Sequence, residues 1–471
     1  GTGAPTNLLI RNWLNTATSF GYTNGFSYTT DRFFSAFGNI AYTYDDKYTL
    51  SGSARADGAN FITNDPKYRY NPFWSVGANW QLWKEKFFNV KFVDRLSLRL
   101  TYGYNGNQDR STSFMPLLSL STTPNAFTNQ FTASFSSLGN PTLRWEKTGT
   151  INFGIDYSLF KGKLYGNINL YRRNGKDLLA NVAIPAVNGS TFQFLNNAKM
   201  VNKGIELEFG TVMNITKSIL WRGNLNFSFN KNEIKDLFLT QYNSFSLVAR
   251  NTASYAVGYN ANTLWMYKYT GFNSANQPTV LGPGGVNYDM QAFVPGDARE
   301  YLENVGAMVA PYTLGFTNSF EYKGFNLSFI ITGNFGHVFQ RRGFNYPVQW
   351  SFGTRMLANK FVGDVLNAKS SEMLTLPANP AEPRFFFWDR FYNNLSYLGQ
   401  SASWIRMQEI NLNYNLPQKI LAKTKLTNFK IYVQGNDLFV LLANKYGEDP
   451  LYALGTLNPR PKATIGIKVE F

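Results

Sequence analysis

The chain of 471 residues has no cysteine, one histidine, and Asp, Glu, Lys and Arg at only 16% of positions. The missing cysteine fits an envelope protein that avoids stray disulfides. So little charge is low for a soluble surface, yet no window approaches the run of about 18 apolar residues that a spanning helix needs. Low charge without a spanning helix points to strands, because a membrane β-barrel hides from hydropathy when its lipid-facing and lumen-facing residues alternate. Phosphate-binding glycine motifs, paired-His metal motifs and nucleophile elbows are absent. Hydrolysis would have to rest on His337, which follows Phe335-Gly336 at a predicted strand end and reads as a structural or rim residue. No enzyme, cofactor or metal site is expected.

No Pro- or Ser-rich linker divides the chain, and one texture of Tyr, Phe, Asn, Gly, Leu and Ile runs throughout, so a single architecture is expected over residues 1–471. Gly1 to Thr6 lacks the basic region and apolar core of a secretory signal, which reads as a processed or incomplete chain. The net charge is +16. Its Lys and Arg are scattered through turns and loops rather than forming one stripe, which disfavours nucleic acid. Phosphorylated lipid headgroups or anionic substrates fit better.

What is present is alternation. Successive side chains of a strand face opposite sides, and the last ten residues follow that rule without exception. Ala463, Ile465, Ile467, Val469 and Phe471 share one face, and Lys462, Thr464, Gly466, Lys468 and Glu470 the other. Around Leu220–Asn230, Trp221, Leu225, Phe227 and Phe229 oppose Arg222, Asn224, Asn226, Ser228 and Asn230. Asn and Ser suit a wet lumen, whereas the outer faces of a soluble sandwich usually carry more Lys and Glu. Hairpins are predicted at Lys161-Gly162-Lys163 and Lys323-Gly324, where glycine supplies positive φ.

The same template places about thirteen strands near 33–44, 48–56, 73–82, 96–104, 143–159, 164–173, 199–212, 220–230, 312–322, 325–336, 403–415, 428–437 and 462–471, with a fourteenth in 7–20. A phase change between Met407 and Ile410 predicts a bulge near Gln408 and Glu409. Connections alternate between short (45–47, 83–95, 160–163, 213–219, 323–324, 416–427) and long (57–72, 105–142, 174–198, 231–311, 337–402, 438–461). Short periplasmic turns and long extracellular loops have that rhythm, and its parity brings the last strand down to the periplasm. Aromatics beside the short turns, such as Tyr42, Tyr44 and Tyr48, match an interfacial girdle. The fold class expected is all-β, a transmembrane antiparallel β-barrel.

Several strings stand out in order along the chain: Tyr44-Asp45-Asp46-Lys47-Tyr48-Thr49-Leu50 leading to Arg55-Ala56-Asp57-Gly58, then Gly139-Asn140-Pro141-Thr142-Leu143-Arg144-Trp145-Glu146. Asn202-Lys203-Gly204-Ile205-Glu206-Leu207, Trp404-Ile405-Arg406-Met407, Gly435-Asn436-Asp437-Leu438-Phe439 and Pro459-Arg460-Pro461 follow. In order and spacing, over nearly the whole chain, they resemble the barrel of SusC/RagA-type TonB-dependent transporters. The resemblance implies a Bacteroidetes-type outer-membrane barrel of about 22 strands. It implies import of oligosaccharide or peptide nutrients under a SusD-like surface lipoprotein, with TonB engaging a plug and TonB box that precede the present sequence. The remaining barrel strands would then lie outside it. Membrane lipids and lipopolysaccharide are the other expected partners. Pro295-Gly296-Asp297 is family-like, but Ala298-Arg299-Glu300 replaces an acidic repeat, which argues against a cation there. Phe471 closes a strand of the outer-membrane assembly type, with Ile465, Ile467 and Val469 as its apolar face.

Transport needs no activated nucleophile; it needs a shaped lumen, a gate and energy coupling. The substrate-loop candidates are Tyr68, Tyr70, Trp350, Phe385, Trp388 and Tyr392, because glycan faces and peptides pack on rings. Loop folding or lid contact explains each equally well. Two alternatives stay open: a passive porin-like channel of about fourteen strands closed within the chain, and a SusC-like barrel serving as an assembly scaffold.

Overall fold

The computed structural model describes residues 7–11, 17–21, 30–63, 65–108, 110, 112–121, 123–190, 192–238, 242–248, 255–274, 278–289, 294–341, 394–424, 426–452 and 458–471. One antiparallel sheet of 13 strands dominates it. In chain order these are β1 (Phe33–Tyr44), β2 (Tyr48–Ala59), β3 (Tyr70–Gln81), β4 (Val93–Asn107), β5 (Glu146–Leu159), β6 (Leu164–Ala183) and β7 (Phe192–Asn214). They continue as β8 (Ile219–Asp236), β9 (Tyr312–Tyr322), β10 (Phe325–Phe335), β11 (Trp404–Asn415), β12 (Asn428–Leu442) and β13 (Lys462–Glu470). Each pairs with the next in order, so the sheet is an up-and-down meander with β1 and β13 at its edges.

The register turns the alternation of single strands into two continuous faces. Tyr44, Tyr48, Trp80, Leu98, Ile155, Ile168, Leu207, Phe227 and Leu314 stand opposite one another from β1 to β9. One residue along, Thr49, Asn79, Arg99, Gly154, Asn169, Glu206, Ser228 and Thr313 form the neighbouring row, polar or glycine at every position. A slip of one residue in any ladder would exchange the two faces, so each pairing is strongly specified. The apolar face is bare: Ile40 and Ile465 are 74% and 76% exposed. A patch of that extent is untenable in water and belongs against hydrocarbon.

The turns show why the chain reverses where it does. Lys323 and Gly324 have φ of 43° and 90°, the paired positive values of a tight hairpin, and Asp45 and Asp46 both have φ of 50°. The bulge expected near Gln408 is present, since Met407 faces Phe439 and Glu409 faces Asn436 while the register shifts between them. Without that shift Ile410 and Met407 would lie on opposite faces.

Two expectations need correction. The segment 7–20 adds no fourteenth strand to the sheet; Asn7–Arg11 and Ala17–Gly21 pair with each other as a separate hairpin. Residues 174–198 are not a long loop either, because β6 and β7 stay paired out to Ala183 and Phe192. The reason is a register break between Gly175 and Leu179, with Asp177 at φ 56°, which scrambles the two-residue period there. Beyond the hydrocarbon nothing restores it.

Lipid-face and lumen-face substitutions should therefore differ sharply. Phe209→Arg, in the middle of the apolar band, is expected to lose about 2–4 kcal/mol of unfolding free energy, and Ser228→Arg on the polar face far less. Denaturant unfolding of the intact protein refolded into lipid vesicles measures both; equal losses would contradict the assignment of faces.

Candidate functional site

The polar face is a connected hydrogen-bonded wall. Arg99 Nη2 donates to Asn169 Oδ1 at 3.0 Å and its other Nη lies 3.4 Å from Asp156. Asn169 donates to Asn167 at 2.9 Å, and Asn167 to Glu208 Oε2 at 2.7 Å. Glu208 Oε1 accepts from Asn224 at 3.2 Å, and Asn224 in turn from Asn226 at 2.8 Å. Five strands, β4 to β8, are thus tied along one surface by side chains alone. Farther round, Glu321 pairs with Arg222, and Glu409 accepts from Gln434 at 3.0 Å. A groove of about 410 Å³ runs along this wall past Asn167, Glu206, Glu208, Asn226, Ser228 and Thr313. Amide and hydroxyl groups that already satisfy one another offer many weak contacts to a polar solute, the condition for passage rather than retention.

The rim above the wall is held by a latch. Gly139, at φ 68°, turns the chain so that Asn140, wholly buried, donates to Asn196 Oδ1 at 3.2 Å. Asn196 also accepts from Arg144 N at 3.1 Å and donates to the carbonyls of Arg144 and Asp177 at 2.9 and 2.8 Å. Arg144 closes the set on Asp177 at 2.7 Å. Trp145 packs edge-on to Phe73 at 5.6 Å between ring centroids. The bulge of β6 and the Gly139–Glu146 string are two halves of one structure.

Outside the rim the described residues between 242 and 302 form a cap with its own core. Trp265, Tyr267, Val280, Val294, Ala298, Tyr301 and Leu395 are buried together, and Tyr259 stacks edge-on to Trp265 at 4.7 Å. Tyr267 N donates to Asn394 O at 2.8 Å, which draws the 394–402 stretch onto the cap. Asp297 is gripped by Arg299, whose Nε and Nη2 donate at 3.0 and 2.6 Å, and that guanidinium lies 3.9 Å over the Tyr242 ring. The side-chain bond from Arg299 holds the Asp297 carboxyl below the usual carboxylate range. An acid so engaged serves the loop fold. Among the described residues no three His, Asp or Glu side chains gather as a metal site.

Two buried ion pairs fasten the last loop, one to the segment that follows β10 and one to the barrel strand β11. Arg341 meets Glu448 at 2.8 Å, and Arg406, at the top of β11, meets Asp449. All four side chains are at most 8% exposed. Their partners lie 107 and 43 residues apart, so no local pattern announces them.

The sequence candidates fall in different places. Tyr68 is half-buried beside Arg144, whose guanidinium sits 5.6 Å from its ring, and so belongs to the latch. Tyr70 opens β3 opposite Gly58, on the row parity of Trp74 and Val76, and faces outward. Trp350, Phe385, Trp388 and Tyr392 lie outside the described residues. Ile465, Ile467 and Val469 share the outward face of β13, opposite Val433, Ile431 and Phe429, and Phe471 follows them. His337 is buried, its carbonyl accepting from Ala402 N at 2.9 Å, and burial pushes its imidazole pKa down. Sequence reasoning missed Asn196, Asp177 and Asp449, which no periodicity marks.

The profile of a family described as TonB dependent receptor-like, beta-barrel, matches residues 6–332. A TonB-dependent receptor of Formosa agariphila is 27% identical over 434 residues, covering 86% of this chain and 41% of that protein. The TonB-dependent receptor SusC of Bacteroides thetaiotaomicron is 26% identical over 477 residues, covering 94% and 44%. The chain thus spans less than half the length of these relatives. Among solved structures, the RagAB peptide importer in its closed-closed state superposes with a TM-score of 0.71 at 22% identity, over 93% of this chain and 48% of that one. Its open-open state gives 0.71 at 20% identity. The likeness to these structures is one of fold.

The buried pair at Arg406 is expected to govern the last loop. Arg406→Met leaves Asp449 buried and unpaired and should cost about 3–5 kcal/mol of local stability, most of it recovered by adding Asp449→Leu. Hydrogen exchange across 443–452 reads both; an unchanged loop in the single variant would refute the role. The cap should respond to acid with a definite sign. The folded pKa of Asp297 is depressed, so its contribution is present above the ordinary carboxylate value and lost as pH falls through the lower folded one. Exchange over 294–302 should rise on acidification in the native protein, and Asp297→Asn should abolish that component.

Proposed function

The chain belongs to the TonB dependent receptor-like β-barrel family, and from that membership we propose that it is the C-terminal part of a SusC/RagA-type importer of oligosaccharide or peptide nutrients. It is an integral component of the bacterial outer membrane and not an enzyme. The observation that carries the proposal is the family match over residues 6–332, joined to a sheet whose inner face is polar and whose outer face is apolar.

The edges of the sheet bear on the alternatives. Among the described residues β1 pairs only with β2 and β13 only with β12, so each has one open side. An open edge in hydrocarbon leaves its N–H and C=O groups unsatisfied at several kcal/mol each, so the functional barrel needs further strands between β13 and β1. A porin closed within this chain is disfavoured for that reason. The complete barrel would hold about 22 strands around an N-terminal plug whose TonB box takes up energy from the inner membrane. A SusD-like lipoprotein would close the extracellular mouth of the barrel. Sugar and peptide cargo share what the wall offers, amide and hydroxyl groups beside aromatic loops. The relative named SusC and the structures named as a peptide importer support those two cargo classes.

The coding region upstream of Gly1 tests the coupling. A plug domain with a TonB box is expected there; a signal peptide joined directly to Gly1 would overturn the proposal. Binding screens of glycan and peptide libraries on the intact transporter then choose between cargoes, and disruption of tonB should abolish uptake of the one selected.

A further inference from the structure

The outward face of the sheet carries one row that breaks its pattern. Arg172 on β6, Lys203 on β7 and Lys231 on β8 stand directly opposite one another in successive ladders. All three side chains are exposed. One row below, on the same face, are Phe153, Leu170, Ile205 and Phe229. Two rows above the basic row, Lys147 and Lys176 again face each other.

Like charges set directly opposite destabilise a sheet. Other cations of the ladders are met by an acid: Lys199 faces Asp236, Arg222 reaches Glu321 on the diagonal, and Lys468, which faces Lys430 on the polar side, is bonded to Glu470. Here the one carboxylate nearby in the ladder is Glu233, opposite Val201 and two residues beyond Lys231; it feels Lys231 and Lys203 but is hydrogen-bonded by a further cation, Lys235. Arg172 Nε donates only to a neutral amide, Asn174 Oδ1, at 3.1 Å. Adjacent strands are about 4.8 Å apart, so the three cations crowd into about 10 Å with no acid between them.

Their height is informative. β6 ascends from the short turn after Leu159, and Arg172 lies eight residues above Leu164, about 26 Å along the strand. A tilt of about 40° reduces that to roughly 20 Å, close to the upper edge of an apolar band about 25 Å tall. The row therefore lies at the outer-leaflet headgroups, with apolar side chains immediately beneath it for acyl chains.

We propose that Arg172, Lys203 and Lys231 form a binding site for the phosphorylated headgroup of an outer-leaflet glycolipid, of the lipopolysaccharide class, on the outside of the barrel. The apolar row of Leu170, Ile205 and Phe229 receives its acyl chains, and Lys147 and Lys176 extend the positive field upward. The site uses the exterior of the barrel and is independent of which cargo passes inside. It requires the outer-membrane barrel but not the import reading, and its assay contains no cargo.

The test uses the intact polypeptide extracted from outer membranes and carrying Arg172→Gln, Lys203→Gln and Lys231→Gln together. Retention of bisphosphorylated lipid A is read by native mass spectrometry. Roughly a hundredfold weaker retention is expected, since each cation near an anionic surface contributes about a factor of five. Dephosphorylated lipid A should bind the native protein as weakly as lipid A binds the variant, and inorganic phosphate should not compete. Lys161→Gln, Lys163→Gln and Lys217→Gln, an equal charge change at the periplasmic rim, should leave retention intact. Should the triple variant fail to fold, Lys203→Gln alone, the centre of the row, is expected to lose about fivefold. Undiminished retention in the row variants, equal loss in the rim control, or full competition by inorganic phosphate would overturn the proposal.

Discussion

Everything in this protein depends on a period of two held in register. A strand by itself offers an apolar and a polar side, but only the ladders make those sides into surfaces. From Tyr44 to Leu314 nine strands keep the same parity, and apart from the bulges each strand between the edges is paired on both sides. In hydrocarbon that is a requirement, because an unsatisfied amide costs several kcal/mol and no water can relieve it. The hydrophobic side chains need no core; they face lipid and leave the interior wet.

The interior wall follows from the same parity. Asn, Ser, Thr and Glu at alternate positions come within reach of the strand beside them, and the chain of bonds from Arg99 through Asn169, Asn167 and Glu208 to Asn226 results. Tyrosines on this wall lie over glycines of the neighbouring strand, as Tyr171 does over Gly204, where a Cβ would stand 2.4 Å from the ring. The glycine of the Asn202–Leu207 string is thus a seat for an aromatic ring, and Lys203 beside it turns to the opposite face. Adjacent residues in one short string serve the lumen and the membrane separately.

Departures from regular pairing in the sheet sit toward the strand ends: near Asp177, Lys199 and Gln408 on the extracellular side, and between Val93 and Arg95 at the periplasmic start of β4. The bulge at Asp177 gives the Gly139–Glu146 string something to close upon, and the bulge at Gln408 rotates Arg406 toward Asp449. Buried ion pairs of this kind contribute little net stability, yet breaking one is costly, so they determine which arrangement a loop adopts more than how firmly the barrel stands. The cap adds an apolar core around Trp265 and Tyr301 that is distinct from the barrel. Loops with their own cores and charged anchors can be shaped without disturbing the ladders below.

The sequence by itself determined the barrel. All 13 sheet strands, the hairpin tips at Gly162 and Gly324 and the bulge near Gln408 were legible, because alternation and turn chemistry are local and lipid enforces them residue by residue. The paired extensions of β6 and β7 were not legible, since Asp177 breaks the period above the membrane. Nor was the separate pairing of Asn7–Arg11 with Ala17–Gly21, because a strand signal does not say which partner it takes. Only the tertiary structure decided that Asn140 meets Asn196, that Arg341 meets Glu448, that Tyr70 faces outward, and that Arg172, Lys203 and Lys231 share one row. Those contacts join residues many positions apart, and neither face nor composition carries that information. Register does, and register exists only once the strands have paired.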